Sequence, residues 1–294
     1  MTYWKILRVL VTNQCNYNCV YCHNEGQSKD DLAIRKDFLS FKQFENVFRA
    51  IKDTDIREIR FSGGEPLLNP DIFKMIEMVS ANKKYEIGIA TNGSRIDRMT
   101  ALQLHNNNVL VTIHLPGVSD QEYAEITGKR FEQLTKSIKI LDEEKVAYSF
   151  NFVVCENTLN HIDSVIDYVI KHKKRIKFLP YIDISKKQES TNLLIKKLAE
   201  KLDNICYSRE ILKDCGIVFF IHKSGAQFKL ILTPCESGNM LFCKQYAEIR
   251  LLPNMMLQPC IFSSYKVPII DMEPDDITLQ LNQLWRNFTV CLKL

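Results

Sequence analysis

Three cysteines, Cys15, Cys19 and Cys22, crowd the segment NQCNYNCVYCHNEG in a C-x3-C-x2-C spacing. Thiolates are natural ligands of iron–sulfur clusters and of zinc. A structural zinc site takes four ligands, so three on one short loop leave one metal corner open, as catalytic sites do for a substrate or cofactor. Two plainer readings share the spacing: a zinc knuckle completed by His23, or three unrelated buried thiols. A second group, Cys235, Cys243 and Cys260, falls near the C-terminal end. Cys206, Cys215 and Cys291 are possible fourth ligands there. Each of them, and Cys155, also reads as plain core, since free cysteine is among the most buried residue types.

Elements able to position the first loop are readable from pattern. Runs rich in Val, Ile, Phe and Tyr at 5–12, 58–63, 86–93, 109–115, 147–154 and 175–181 predict strands. Segments at 40–53, 69–82, 98–107, 130–144 and 161–173 carry helical apolar spacing. Ser40 and Asn69 read as N-caps and Pro70 as the first helical residue behind Asn69. Regular alternation predicts βαβ units and a parallel sheet. Six strands fit a partial (β/α)6 barrel, since a closed eight-stranded one takes about 250 residues. In such folds chemistry gathers at the C-terminal ends of the strands. The cysteine loop, GGEP (63–66), TNG (91–93) and HLPG (114–117) all follow strands. The pattern changes near 182, dividing the chain into a barrel core (1–182) and a C-terminal extension (183–294).

Composition narrows the class. Of 294 residues 46% are hydrophobic and 25% charged, an ordinary globular balance. A net charge of +4 suits an anionic small molecule and is too small to argue for nucleic acid. The basic run 171–177 reads as the solvated end of a helix. No signal peptide is recognisable, and no apolar run approaches the roughly 18 residues of a membrane helix. The chain is expected to be cytoplasmic, where ten cysteines point to metal or catalytic roles rather than disulfides.

C-x3-C-x2-C with Tyr21 before the third cysteine, followed by FSGGEPLLNPDIF, resembles the radical S-adenosylmethionine (SAM) enzymes. The resemblance implies that Cys15, Cys19 and Cys22 hold a [4Fe–4S] cluster whose fourth iron binds SAM. One electron then cleaves SAM to a 5′-deoxyadenosyl radical that takes a hydrogen atom from the substrate. It also implies a SAM site lined by Tyr21, Gly63, Gly64, Glu65, Pro66, Thr91, Asn92 and Asn151. The glycines let backbone approach a ligand closely, Glu65 can accept from an ammonium, and Pro66 stiffens the turn. A flavodoxin- or ferredoxin-type electron donor follows from the same resemblance.

Segment 242–262 resembles the C-terminal part of the GTP 3′,8-cyclases, whose extension carries a second [4Fe–4S] cluster, and CESGNMLFC is similar to the wider twitch and SPASM extensions. Cys243 and Cys260 match two of the cyclases' three ligands. Tyr246 stands in place of the middle one, and Cys235 could supply the third; the alternative is an extension without a cluster. The cyclases have Arg before the first cluster cysteine, where this chain has Gln14. They have two arginines after the auxiliary cysteines, where it has Glu248 and Arg250. They end in Gly-Gly, where it ends CLKL. Glutamate in place of a phosphate-binding arginine repels a triphosphate. The resemblance therefore implies a cyclase-like rearrangement of a nucleotide- or sugar-like small molecule other than GTP. A dehydrogenase, a peptide-modifying enzyme, and a non-catalytic iron–sulfur carrier or sensor are the alternatives. Arg250 is the expected substrate contact. His114 either faces the reaction centre or merely ends its strand.

Overall fold

A computed structural model describes residues 3–23, 38–182, 189–212, 216–232, 243–244, 246–261 and 263–288. All six expected strands form: β1 (Ile6–Leu10), β2 (Glu58–Ser62), β3 (Glu86–Thr91), β4 (Leu110–His114), β5 (Tyr148–Val154) and β6 (Arg175–Pro180). Between them lie α1 (Phe41–Ala50), α2 (Ile72–Ser80), α3 (Arg98–Asn106), α4 (Asp120–Thr127), α5 (Phe131–Glu143) and α6 (Ile162–His172). Ser40 caps α1 in a reciprocal capping box with Gln43. Apolar spacing does not announce α4, which buries only Tyr123, Ile126 and Thr127. Its ends are marked instead by Ser119, whose side chain accepts from Glu122 N, and by Gly128 in the left-handed region.

The expected cap at Asn69 is not made. Pro66–Leu68 form a 3-10 turn that Asn69 closes, and α2 begins after Asp71. Asn69 is buried, and its side chain donates to Val11 O and Leu39 O, both at 2.8 Å. Its Oδ1 accepts from Asp71 N at 2.8 Å, so the side chain closes the turn ahead of the helix and ties it to the ends of neighbouring segments, and the helix itself starts two residues later than expected.

Later strands lengthen the sheet at both edges. After α7 (Glu189–Ile205) come β7 (Ser208–Leu212), β8 (Ile217–Ile221) and β9 (Gln227–Ile231), then β10 (Glu248–Leu251), β11 (Met256–Gln258), β12 (Val267–Pro268) and α8 (Pro274–Asn287). The twelve-stranded order is β12-β11-β10-β1-β2-β3-β4-β5-β6-β9-β8-β7. β9 runs parallel to β6 and β10 parallel to β1, so the parallel run exceeds the six core strands. The sheet remains open, as a partial barrel is.

Along each strand one face packs under the helices. Phe61, Ile89, Ile113, Phe150, Phe152, Phe178 and Phe228 are essentially inaccessible. A fully buried residue of this size contributes about 2–3 kcal/mol. α8 closes the bottom through Trp4, which donates to Leu281 O at 3.1 Å and meets Trp285 edge-on. The other face alternates with the first and carries Arg8, Arg60, Thr112, Asn151, Lys177 and Lys229, all half-buried. Closed barrels fill that interior with branched apolar side chains. Polar, half-buried residues there set this face apart from a packed apolar core.

Candidate active site

The cysteine loop leaves the C-terminal end of β1 and is fastened by each turn around it. Gly64 N donates to Thr12 O at 2.8 Å and Glu65 N to Gln14 O at 2.7 Å. A Cβ on Gly64 would lie 2.0 Å from Gln14 O, and one on Gly63 2.3 Å from Thr12 O. The close approach that these glycines permit is therefore to the backbone before Cys15. Asn92 donates from Nδ2 to Asn16 Oδ1 at 2.9 Å and reaches Cys15 Sγ at 3.9 Å. Asn16 donates to Ser94 Oγ at 2.8 Å, and Val20 N to Ile126 O at 3.0 Å, which ties the loop to α4.

Behind the loop, Glu65 is fully buried. Its carboxylate accepts from Thr91 Oγ1 at 2.7 Å, Asn92 N at 2.8 Å and Leu67 N at 3.1 Å. Burial pushes its pKa up to about 6 against the lowering effect of those three bonds. GGEP and TNG are thus one bonded unit, with Pro66 opening the 3-10 turn. Tyr21 and His114 share a 2.7 Å hydrogen bond between the phenol oxygen and Nε2. Burial lowers His114 to about 4, so its ring is neutral at physiological pH. His114 pairs in register with Asn151. Asn151 Oδ1 is buried with no hydrogen-bond partner among the described residues.

Two of the loop thiols face conditions that resist ionisation. Burial is the largest cause at Cys15 and at Cys19, the latter pushed up to about 12; Cys22 adds its charge at both, and Cys15 at Cys19. Among the described residues no three His, Cys, Asp or Glu side chains are drawn together as metal ligands are. The donor set fits an iron–sulfur cluster nonetheless. Three mutually repelling thiolates are relieved by one cationic core, and Asn151 supplies an orphaned acceptor for a bound cofactor's donor.

The opposite end of the barrel holds the second group. β10 is parallel to β1 and antiparallel to β11. The start of β10, after Cys243, and the end of β11, before Cys260, therefore meet at the N-terminal ends of the barrel strands. Both cysteines are half-buried against the core. Cys235, Cys215 and Cys291 lie outside the described residues. Cys206 follows α7, where burial raises it to about 11. Cys155 is buried beside Tyr21 and Ile126.

Between the two ends lies a charge network that sequence reading missed. Glu248 accepts from Arg8 in a two-pronged pair, Nε to Oε1 at 2.7 Å and Nη2 to Oε2 at 2.9 Å. Arg60 reaches Glu248 at 3.4 Å, donates from Nη2 to Glu58 Oε2 at 2.9 Å, and donates to Tyr246 Oη at 2.8 Å. Although burial opposes it, the surrounding arginines hold the Glu248 carboxyl below the usual range. Tyr246, in place of a cysteine, serves this network. The i, i+2 spacing of Glu58 and Arg60 was the available signal; the Arg8–Glu248 pair needs the register of β10 on β1. Arg250 is buried in the same β10, in register with Arg8.

Residues 9–169 match the Radical SAM superfamily, and the chain belongs to it. Its members use a [4Fe–4S] cluster and SAM, and the chain is a radical SAM enzyme. It is similar to the GTP 3′,8-cyclase of Staphylococcus epidermidis, 26% identical over 95% of this chain and 86% of that one. A probable GTP 3′,8-cyclase of Methanococcus aeolicus is 25% identical, covering 87% and 85%. Among solved structures, Streptococcus suis SuiB bound to its precursor peptide SuiA superposes with a TM-score of 0.71 at 16% identity, over 95% of this chain and 65% of that one. The anSMEcpe structure with bound AdoMet gives 0.65 at 16%, over 96% and 82%. Likeness at this identity concerns the fold. No helix among the described residues is long and apolar enough to cross a membrane.

Proposed function

We propose that Cys15, Cys19 and Cys22 hold the [4Fe–4S] cluster and that Tyr21, Gly63, Gly64, Glu65, Pro66, Thr91, Asn92 and Asn151 form the SAM site. The observation carrying this reading is the single bonded unit of cysteine loop, GGEP and TNG at the C-terminal strand ends, with Asn151 Oδ1 left orphaned beside it. Cluster and SAM together would supply a 5′-deoxyadenosyl radical. The chain's residues divide the remaining work. Glu65 acts as a positioning residue that locks Thr91 and Asn92. His114 orients Tyr21. The glycines hold the loop against β2.

The substrate is a small molecule, nucleotide- or sugar-like, that is cyclised or rearranged after hydrogen abstraction. It is not a triphosphate, because Glu248 and Glu58 already neutralise Arg8 and Arg60. Arg250 is its expected contact. Cys243 and Cys260, with Cys235, would hold an auxiliary cluster at the other end of the barrel, and a flavodoxin- or ferredoxin-type protein would deliver the electron.

Anaerobically reconstituted protein given SAM and dithionite should release 5′-deoxyadenosine, and Cys15→Ala should not. No cleavage by wild type refutes the reading. Iron and sulfide should fall by one cluster in a Cys243→Ala/Cys260→Ala variant; an unchanged count removes the auxiliary site.

A further inference from the structure

His161 closes a circuit of hydrogen bonds around the candidate site. It ends the 3-10 turn Glu156–His161, which leads from β5 into α6, and it is buried. Its Nδ1 lies 3.0 Å from Pro116 O, and its Nε2 lies 2.9 Å from Glu125 Oε2. Pro116 follows closely on His114, whose ring is bonded to Tyr21. Glu125 directly precedes Ile126, whose carbonyl accepts from Val20 N, and Val20 directly precedes Tyr21. The path from His161 therefore runs through Pro116 and His114 to Tyr21, and returns through Val20, Ile126 and Glu125. Glu122 reinforces the same joint, accepting from Val118 N at 2.8 Å and from Ser164 Oγ at 2.7 Å.

Both atoms that His161 faces are acceptors. A carbonyl oxygen has no proton to give, and an ionised carboxylate has none either. A neutral imidazole donates from one nitrogen only, so it closes one side of the circuit and sets a lone pair against an oxygen on the other. The imidazolium donates on both sides. A protonated Glu125 would remove that need, but the Gln121 amide first and His161 second hold its carboxyl below the usual range. The other titratable groups on the elements packed against His161 are Glu122 on α4, Glu156 on its own turn, the Cys155 thiol after β5, and Asp163 on α6, which pairs with Lys201. Among the described residues no lysine or arginine is paired with Glu125.

We propose that His161 is a positioning residue of the active site: its imidazolium ties the loop after β4 to α4, and so holds the Tyr21–His114 pair beside the cysteine loop. This deepens the function proposed above and rests on it for the place of Tyr21 in the SAM site. Loss of one ring proton opens one side of the circuit. If Pro116 is released, the end of β4 that carries His114 loses its tie. If Glu125 is released, α4 loses its tie, and with it the segment that holds Val20. Either way the Tyr21–His114 pair keeps only one of its two supports, so handling of SAM weakens as pH rises through the titration of His161.

The test begins with histidine-ring NMR on the full-length, metal-free chain from about pH 6 to 9. Both ring nitrogens of His161 should be protonated at the acid end. The His114 signal should follow the loss of one of those protons with the same midpoint, although His114 itself, lowered to about 4, does not titrate in that range. SAM cleavage by reconstituted protein is then read as the ratio of wild type to Glu125→Gln, which cancels the pH dependence of the reductant. The glutamine amide can donate to Nε2 of a neutral ring, so the variant keeps the circuit closed at every pH. The ratio should fall by about fivefold from the acid to the alkaline end, the worth of one net hydrogen bond. A His161 ring with a single proton at the acid end, a His114 signal indifferent to it, or a ratio flat with pH overturns the proposal. The ring measurements on wild type need neither variant nor cluster, so poor folding of Glu125→Gln leaves the test decisive. Absence of SAM cleavage with the ring behaviour intact refutes the radical chemistry alone, and the reverse result refutes this inference alone.

Discussion

Replacing Gly64 by alanine should separate the GGEP turn from the cysteine loop. The new Cβ would stand 2.0 Å from Gln14 O, 2.4 Å from Gln14 C and 3.0 Å from Cys15 N, all backbone atoms of the segment that carries the first thiol. No side chain can swing aside, so the two strands of backbone must part by more than about 1 Å to reach ordinary contact. Parting them breaks Gly64 N to Thr12 O and Glu65 N to Gln14 O. Each net hydrogen bond is worth about 1 kcal/mol, and forced overpacking adds about 1–3 kcal/mol. The expected loss is about 3–5 kcal/mol, a fall in Tm on the order of 10 °C. Gly225→Ala is the control. Its φ of +93° strains an alanine, but nothing lies within 4 Å; it should lose only about 1 kcal/mol. Scanning calorimetry on the apo chain gives the stability, and iron and sulfide content after anaerobic reconstitution reports the loop. The reasoning fails if Gly64→Ala melts like wild type and loads iron equally, because the backbone contact would then be no constraint.

Glu248→Ala leaves two arginines without their shared carboxylate and should cost about 3 kcal/mol, with Arg8→Met in the same chain restoring part of the loss in denaturant titrations. Because Glu248 titrates below the usual carboxylate range, its contribution is present above that range and disappears as pH falls through its folded value. Wild type and Glu248→Ala should therefore converge in stability only in strong acid, and convergence near neutrality would contradict the pairing. Glu65 runs the other way. Its folded pKa of about 6 lies above the ordinary 4.5, so wild type should lose stability relative to Glu65→Gln as pH rises from about 4.5 to 6, by about 2 kcal/mol. A difference that is flat with pH would refute the buried ionised carboxylate. His114, lowered to about 4 by burial, should make wild type lose stability relative to His114→Gln as pH falls from about 6.5 to 4; an unchanged gap across that interval would show the imidazole to be solvated.

Strand positions were legible because every core strand buries one face of alternating Ile, Val and Phe under helices, a period that survives in the bare sequence. The placement of GGEP and TNG at strand ends followed from the same alternation. Helix α4 was hidden because its eight residues bury so little, leaving only its capping residues as signal. Asn69 was misread because its local sequence does suit a helix start, and only the folded chain brings Val11 O and Leu39 O to its amide. The purpose of Gly63 and Gly64 was half legible: their smallness marked a close approach, but which backbone approaches is a tertiary fact. The Arg8–Glu248 pair spans nearly the whole chain, and no local pattern encodes a register between strands that far apart.

The pairing of β10 with β1 also governs the order of assembly. The strand that leads into the cysteine loop has β2 on one side early in synthesis, but its other edge stays bare until the segment around Glu248 has emerged. An open parallel edge is a template for unwanted pairing, and contacts this distant in sequence form slowly. A nascent or truncated chain ending before residue 248 would carry all three N-terminal thiols on a half-paired strand, with Arg8 lacking its counter-ion. The last strands of the chain thus act as a completion check on the first, and a ribosome stalled late in the message leaves a chain with its thiols in place and their supporting strand unfinished.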